Sequence, residues 1–146
     1  MGLLIDTDVL ILAEREAGSA GFGRWREYGE AYVSVVTASE LLVGVHRADT
    51  AERRARREAF VEAILSAIPV LDFGLGVARV HARLVASLPT GVTVAAHDAM
   101  IGATALYYGC SVLTRNRRDF DRLAGVEVLP WTPAVRPPAD PPRTAG

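Results

Sequence analysis

Short apolar runs alternate along this chain with longer stretches in which apolar residues recur every three or four positions. The first run, Leu3-Leu4-Ile5, predicts a buried strand that Asp6 ends, and Val9, Leu10, Ile11 and Leu12 then open a helix. Gly18 to Gly23 reads as a flexible break, followed by a short helix over Phe22–Tyr28 that carries Trp25. The β-branched and aromatic run Ala31–Val36 predicts a second strand, after which Thr37 opens a helix with Leu41, Leu42 and Val45 on one face. Thr50–Ile68 predicts a long amphipathic helix with Phe60, Ile64, Leu65 and Ile68 as its apolar stripe. Pro69-Val70-Leu71 reads as a strand, and the next helix runs through Val77, Val80, Leu84 and Val85 to a turn at Pro89–Gly91. A strongly apolar helix from Asp98 to Tyr108 is capped by Gly109. Then come a strand over Ser111–Thr114, a short helix over Asp119–Leu123 and a last strand over Val126–Leu129.

Strands alternating with helices predict an α/β sandwich with a mainly parallel central sheet. In such sheets ligands bind beyond the carboxyl ends of the strands. Six of the eight prolines lie at or after Pro130, so residues 1–132 read as one domain and residues 133–146 as a proline-rich tail.

Composition narrows the chemistry. Half of the 146 residues are hydrophobic, enough for a sizeable core. The net charge of -1 excludes a chain that binds polyanions over its whole surface, so any nucleic-acid contact must come from local basic patches. All 16 basic residues are arginine. Without a lysine there is neither a P-loop nor Schiff-base catalysis. The single cysteine, Cys110, reads as a buried strand residue and permits no internal disulfide or cysteine-based zinc site. Asp6 and Asp8 interrupt the first apolar run, and no stretch approaches the length of a membrane span, so a cytoplasmic protein is expected.

Asp6, Glu40, Asp98 and Asp119 each stand where an apolar run gives way to a helical pattern. Each has a local explanation. Asp6 fits a helix cap, and Asp98 suits the positive end of a helix. Thr37-Ala38-Ser39-Glu40 and Asn116-Arg117-Arg118-Asp119 both resemble capping boxes. Capping does not require convergence, however, whereas a right-handed parallel sheet delivers all four acids to one edge. Carboxylates gathered without counter-charge raise their own pKa values or bind a hard cation, and oxygen-only ligands suit Mg²⁺ or Mn²⁺. Such ions activate water and stabilise charge on a phosphodiester. Arg115, Arg117 and Arg118 flank Asp119 and are candidates for holding an RNA or DNA backbone, with a solvated surface as the alternative. His46, His81 and His97 are scattered on helices with no metal-binding pattern, and Trp25, Trp131, Tyr107 and Tyr108 read as core or interface residues.

Four segments together resemble the PIN-domain endoribonucleases, most closely the VapC toxins of prokaryotic toxin–antitoxin pairs. They are Leu4-Ile5-Asp6-Thr7-Asp8-Val9-Leu10, Val33-Ser34-Val35-Val36-Thr37-Ala38-Ser39-Glu40-Leu41, His97-Asp98-Ala99-Met100-Ile101-Gly102-Ala103-Thr104-Ala105 and Leu113-Thr114-Arg115-Asn116-Arg117-Arg118-Asp119-Phe120. The resemblance covers roughly residues 2–132. It implies a PIN-like three-layer sandwich and a Mg²⁺- or Mn²⁺-dependent ribonuclease that cuts cellular RNA and halts translation. It implies Asp6, Glu40, Asp98 and Asp119 as the metal-binding acids, with Thr7, Thr114 and Asn116 as supporting hydroxyl and amide groups. Asp8 stands where the family often has another polar residue and is expected behind the metal-binding acids. A homodimer is implied, inhibited by a VapB-type antitoxin whose tail covers the site. The helix over Thr50–Ile68 and the one before it are expected to form the antitoxin groove. Arg53, Arg54, Arg56 and Arg57 are expected on a solvated face.

Two other readings compete. Asp6-Thr7-Asp8 fits the paired-aspartate start of haloacid-dehalogenase-like phosphatases, but Leu10 stands where that family has Thr or Val, and the usual lysine is missing. The other is a non-catalytic PIN-like module that holds RNA or protein, against which the intact acid set argues.

Overall fold

The computed structural model describes residues 2–17 and 29–131. Five strands, β1 (Gly2–Ile5), β2 (Glu30–Ser34), β3 (Val70–Leu71), β4 (Cys110–Thr114) and β5 (Val128–Pro130), form a sheet in the order β3-β2-β1-β4-β5. Every neighbouring pair is parallel. Between the strands run α1 (Thr7–Ala17), α2 (Val35–His46), α3 (Ala51–Ala67), α4 (Leu75–Ala86), α5 (Ala96–Tyr108) and α6 (Arg117–Phe120).

The period-two alternation of the strands divides the core in two. Leu3, Ile5, Val33 and Leu113 pack with Leu10 of α1, Leu41 and Val45 of α2, and Val61 and Ile64 of α3. Leu4 and Val112 face the other way, onto Val77 and Leu84 of α4, Ile101 of α5 and Phe120 of α6. Both faces of the sheet are therefore covered by helices, as an all-parallel sheet requires. Trp131 is in the first of these clusters. Cys110 is buried at the start of β4, as expected. Tyr107 and Tyr108 are exposed and stack edge to face, so they are not core residues.

The chain moves outward from β1 through β2 to β3, then returns to the opposite side of β1 with β4 and β5. This reversal leaves a crevice beyond the carboxyl ends of β1 and β4. The Asp6 amide donates to the Leu113 carbonyl at 2.9 Å, which closes the two strand ends side by side.

Several element boundaries differ from the sequence expectation. The helix over Thr50–Ile68 is α3 almost residue for residue, with Thr50 accepting the Arg53 amide at 3.1 Å. By contrast, α2 begins at Val35, and Thr37 does not open it. Ser34 is the cap: it ends β2 and its Oγ accepts the Thr37 amide at 3.0 Å. A buried serine at a strand end thus outcompetes the β-propensity of Val35 and Val36. Helix α5 starts at Ala96 rather than Asp98, and α6 covers Arg117–Phe120 rather than Asp119–Leu123. Gly109 closes α5 in the left-handed conformation, with φ 70°. The last strand is Val128–Pro130 rather than Val126–Leu129. The expected break at Gly18–Gly23, the helix over Phe22–Tyr28 and the tail after residue 132 lie outside the described residues.

Candidate metal centre and active site

Asp6 leaves β1 at the reversal point and is 5% exposed. Its Oδ1 accepts the Thr7 amide at 2.8 Å and its Oδ2 accepts the Thr114 hydroxyl at 2.8 Å. The Thr114 oxygen in turn accepts the Asn116 amide at 2.9 Å. The Asn116 side-chain nitrogen then donates to Asp98 Oδ2 at 2.8 Å and reaches Asp119 Oδ2 at 3.5 Å. One hydrogen-bonded path therefore runs from Asp6 to Asp98 and Asp119 through Thr114 and Asn116. Asp119 also accepts the Ala95 amide just before α5, at 3.4 Å. Asn116 makes no side-chain cap to α6, so the capping-box reading of Asn116–Asp119 is wrong. The polar groups that would close a box are drawn across to α5 instead.

Glu40 reaches the same edge from α2. The Thr37–Glu40 capping box is also absent, because Ser34 takes the cap role. Thr37 instead belongs to a buried set of hydroxyls. Its Oγ1 lies 3.1 Å from Ser34 Oγ and 3.2 Å from Thr7 Oγ1. Thr7 also lies near the Glu40 carboxylate and favours its charged form. His97 Nδ1 stands 3.4 Å from Glu40 Oε1. That oxygen is buried and, among the described residues, takes no hydrogen bond; the same is true of Asp8 Oδ1.

The electrostatics follow from burial and crowding. Burial pushes the Asp6 carboxyl up to about 7; the charges of Asp8 and Asp98 add to this, against the bonds from Thr114 and Thr7. Asp98 is raised to about 6, first by burial, then by sharing a hydrogen bond with Asp119 and by the charges of Asp119 and Glu40, with Asn116 opposing. Glu40 is raised by burial and by Asp8, while His97 and Thr7 pull it down. Asp8 therefore acts on both Asp6 and Glu40. The four predicted acids and Asp8 feel one another at a single edge.

Among the described residues, no three such side chains stand close enough to grip an ion as they are placed. The donors nevertheless fit a hard dication in kind: all are carboxylates, burial and neighbouring acids raise Asp6, Glu40 and Asp98 despite their partners, and two buried carboxylate oxygens take no hydrogen bond among the described residues. Drawing them together on an ion requires rotation about side-chain bonds. Arg115 and Arg118 are exposed, and Arg117 is tied to Asp121 by an exposed ion pair of 2.9 Å. Sequence reasoning missed the buried hydroxyls of Ser34 and Thr37. Their signal was the spacing Ser34, Thr37, Glu40: three residues apart each time, hence neighbours on one helix face.

An all-parallel sheet with carboxylates at its reversal point places the candidate site at the carboxyl ends of β1 and β4, and comparison with known proteins supplies the family. The PIN domain family model matches residues 3–126, and the chain belongs to that family. Over 130 residues it is 40% identical to ribonuclease VapC1 of Rickettsia felis, spanning 88% of this chain and 96% of that protein. It is 28% identical over 131 residues to the tRNA(fMet)-specific endonuclease VapC of Shigella flexneri, spanning 88% of this chain and 97% of that protein. The structure of DNA-bound VapBC from Salmonella typhimurium superposes with a TM-score of 0.80 at 26% identity, over 90% of this chain and 99% of that one. Within the PIN family the chain falls among the VapC-type ribonucleases, which are hydrolytic nucleases. That assignment overturns the phosphatase alternative built on Asp6-Thr7-Asp8.

Proposed function

We propose that this protein is a Mg²⁺- or Mn²⁺-dependent endoribonuclease, the toxin half of a type II toxin–antitoxin pair, which cuts tRNA or rRNA in the cytoplasm and thereby stops translation and growth. The observation that carries the reading is the convergence of four acids at the carboxyl edge of β1 and β4, where one hydrogen-bonded path joins Asp6, Asp98 and Asp119 and Glu40 arrives from α2 beside His97. These four residues would hold the ion. When bound, the ion supplies activation of water and stabilisation of negative charge on the phosphodiester. The remaining work belongs to the protein. Thr114 and the Thr7 amide fix both oxygens of Asp6, and Asn116 fixes Asp98. His97 and Thr7 favour the charged form of Glu40 against its burial. Arg115 and Arg118 are exposed and would meet the RNA backbone.

The name of the Shigella relative supports a tRNA target, and the Salmonella complex supports a VapB-type antitoxin as partner. A cavity of about 430 Å³ lined by Ile11, Arg15, Glu40, Leu41, Arg57 and Val61 lies among α1, α2 and α3. It suits the expected antitoxin groove, and its position beside Glu40 would let an antitoxin tail cover the acids. We assign the active unit as a homodimer, with a larger complex formed when the antitoxin binds. Among the described residues no helix is long and apolar enough to cross a membrane.

The deciding experiment is cleavage of total cellular RNA by antitoxin-free protein, with Mg²⁺ or Mn²⁺ and with chelator, beside Asp98→Asn. Discrete fragments that need both the metal and Asp98 are expected. Cleavage that persists in chelator or in the variant would falsify the metal-dependent mechanism.

A further inference from the structure

Glu40 stands between two cavities. The one among α1, α2 and α3 carries Glu14 as well as Arg15 and Arg57, a mixed-charge lining suited to a peptide. The other, of about 520 Å³, lies between α2 and α5 and has a different character. Val36, Val43 and Met100 make it apolar, while Arg47 and His97 are its basic groups and Glu40 its single acid. We propose that this second cavity is a nucleotide subsite, holding the base of the ribonucleotide next to the phosphodiester being cut, with Arg47 on a neighbouring phosphate. The inference rests on the ribonuclease reading above.

Position is the first argument. Glu40 belongs to both the cavity and the acid edge, and His97, which precedes Asp98, stands 3.4 Å from Glu40 Oε1. A base seated here delivers its attached phosphate to the carboxylates. Chemistry is the second. Single-stranded RNA is recognised by stacking of unpaired bases on planar side chains and by hydrogen bonds to their edges. The His97 imidazole offers a planar face for stacking, Val43 and Met100 offer apolar contact, and the Ser39 hydroxyl and Arg47 offer edge contacts. The volume lies within the range of small-ligand sites, roughly 300–1,000 Å³. Charge is the third. The acid edge repels a phosphate backbone, so the backbone needs a cation close by. Arg47 is exposed, and among the described residues its guanidinium has no ion-pair partner.

The test uses the antitoxin-free protein with Mn²⁺ and a short single-stranded RNA of mixed sequence. Val43→Trp and Met100→Trp place a larger ring in the cavity; Val43 is 41% exposed and lines the open groove, so its replacement leaves the core undisturbed. Both variants are expected to lose about tenfold or more in kcat/KM and to cut beside different bases. Arg47→Ala is expected to raise KM about fivefold with kcat nearly held, as for the loss of a phosphate contact. Mn²⁺ affinity measured by calorimetry should be unchanged in all three. Unaltered cutting positions and rates in both filled variants overturn the subsite. So does a filled variant that loses self-association or antitoxin binding while cutting like the parent, since the cavity then belongs to a protein partner. If the parent itself cuts no RNA with Mn²⁺, the ribonuclease reading fails and takes the subsite with it.

Discussion

At the residue scale, the site depends on neutral groups as much as on acids. Each hydroxyl of Ser34, Thr37 and Thr7 has one hydrogen to give, and all three are buried. Removing the middle one strands its neighbours. Thr37→Val keeps the shape and should cost about 1–3 kcal/mol in urea unfolding, since it leaves buried polar groups short of a partner. Thr37→Ser should recover most of that loss and the Mn²⁺ affinity with it. Asp6 shows the opposite logic. Its folded pKa of about 7 lies above the ordinary 3.8, so the native state holds its proton more tightly than the unfolded chain does. The stability from this group is complete below the unfolded pKa and is lost as pH rises through the folded one. Asp6→Asn, which cannot ionise, should therefore be more stable than the metal-free parent. Its advantage should grow from about pH 4 to pH 7, reaching on the order of 5 °C in Tm, and level off above. An advantage that shrinks with rising pH would contradict the burial of Asp6.

At the element scale, α2 and α5 bring two of the acids to the edge, and their glycines report how tightly each is held. A Cβ on Gly102 of α5 would meet Leu123 Cδ1 at 2.5 Å, and Leu123 is itself buried. Gly102→Ala should therefore destabilise the fold by about 1–3 kcal/mol, through the shift forced on Leu123. Gly44 of α2 is different: its nearest neighbour would be Arg57 Cδ at 3.7 Å, an ordinary contact. There Gly44→Ala should stabilise by about 0.5–1 kcal/mol from helix propensity alone. Chemical denaturation of the pair checks both signs at once. Arg57 also explains how α2 ends, since its Nη1 donates to the Gly44 carbonyl at 2.9 Å. Arg54 Nη2 similarly reaches the Ala48 carbonyl at 3.3 Å. The arginine face of α3 is exposed, as expected, yet two of its guanidinium groups are bonded to main-chain carbonyls at and just beyond the end of α2.

At the scale of the whole molecule, folding gathers charges that repel one another, and ion binding would relieve that repulsion. Carboxylates bind metal only when deprotonated, so the gain should depend on pH. Mn²⁺ should raise Tm more at pH 8 than at pH 5, where burial keeps Asp6 and Asp98 largely protonated, and chelator should reverse the rise. Equal shifts at both pH values would place the ion elsewhere. The sequence by itself determined the alternation of strands and helices, and with it the parallel sheet. Those features follow from periodicities of two and 3.6 that each segment carries alone. It also marked Asp6, Glu40, Asp98 and Asp119, because each stands where an apolar run gives way to a helical pattern. Only the tertiary structure decided what their neighbours do. Whether Thr37 caps a helix or joins the hydroxyls beneath Glu40 depends on Ser34 being buried at the end of β2 beside Thr7, 30 residues away along the chain. Whether Asn116 caps α6 or bonds Asp98 depends on α5 arriving alongside, from 18 residues earlier. Capping is a contest between local and distant donors and acceptors, and the distant ones exist only once the sheet has closed.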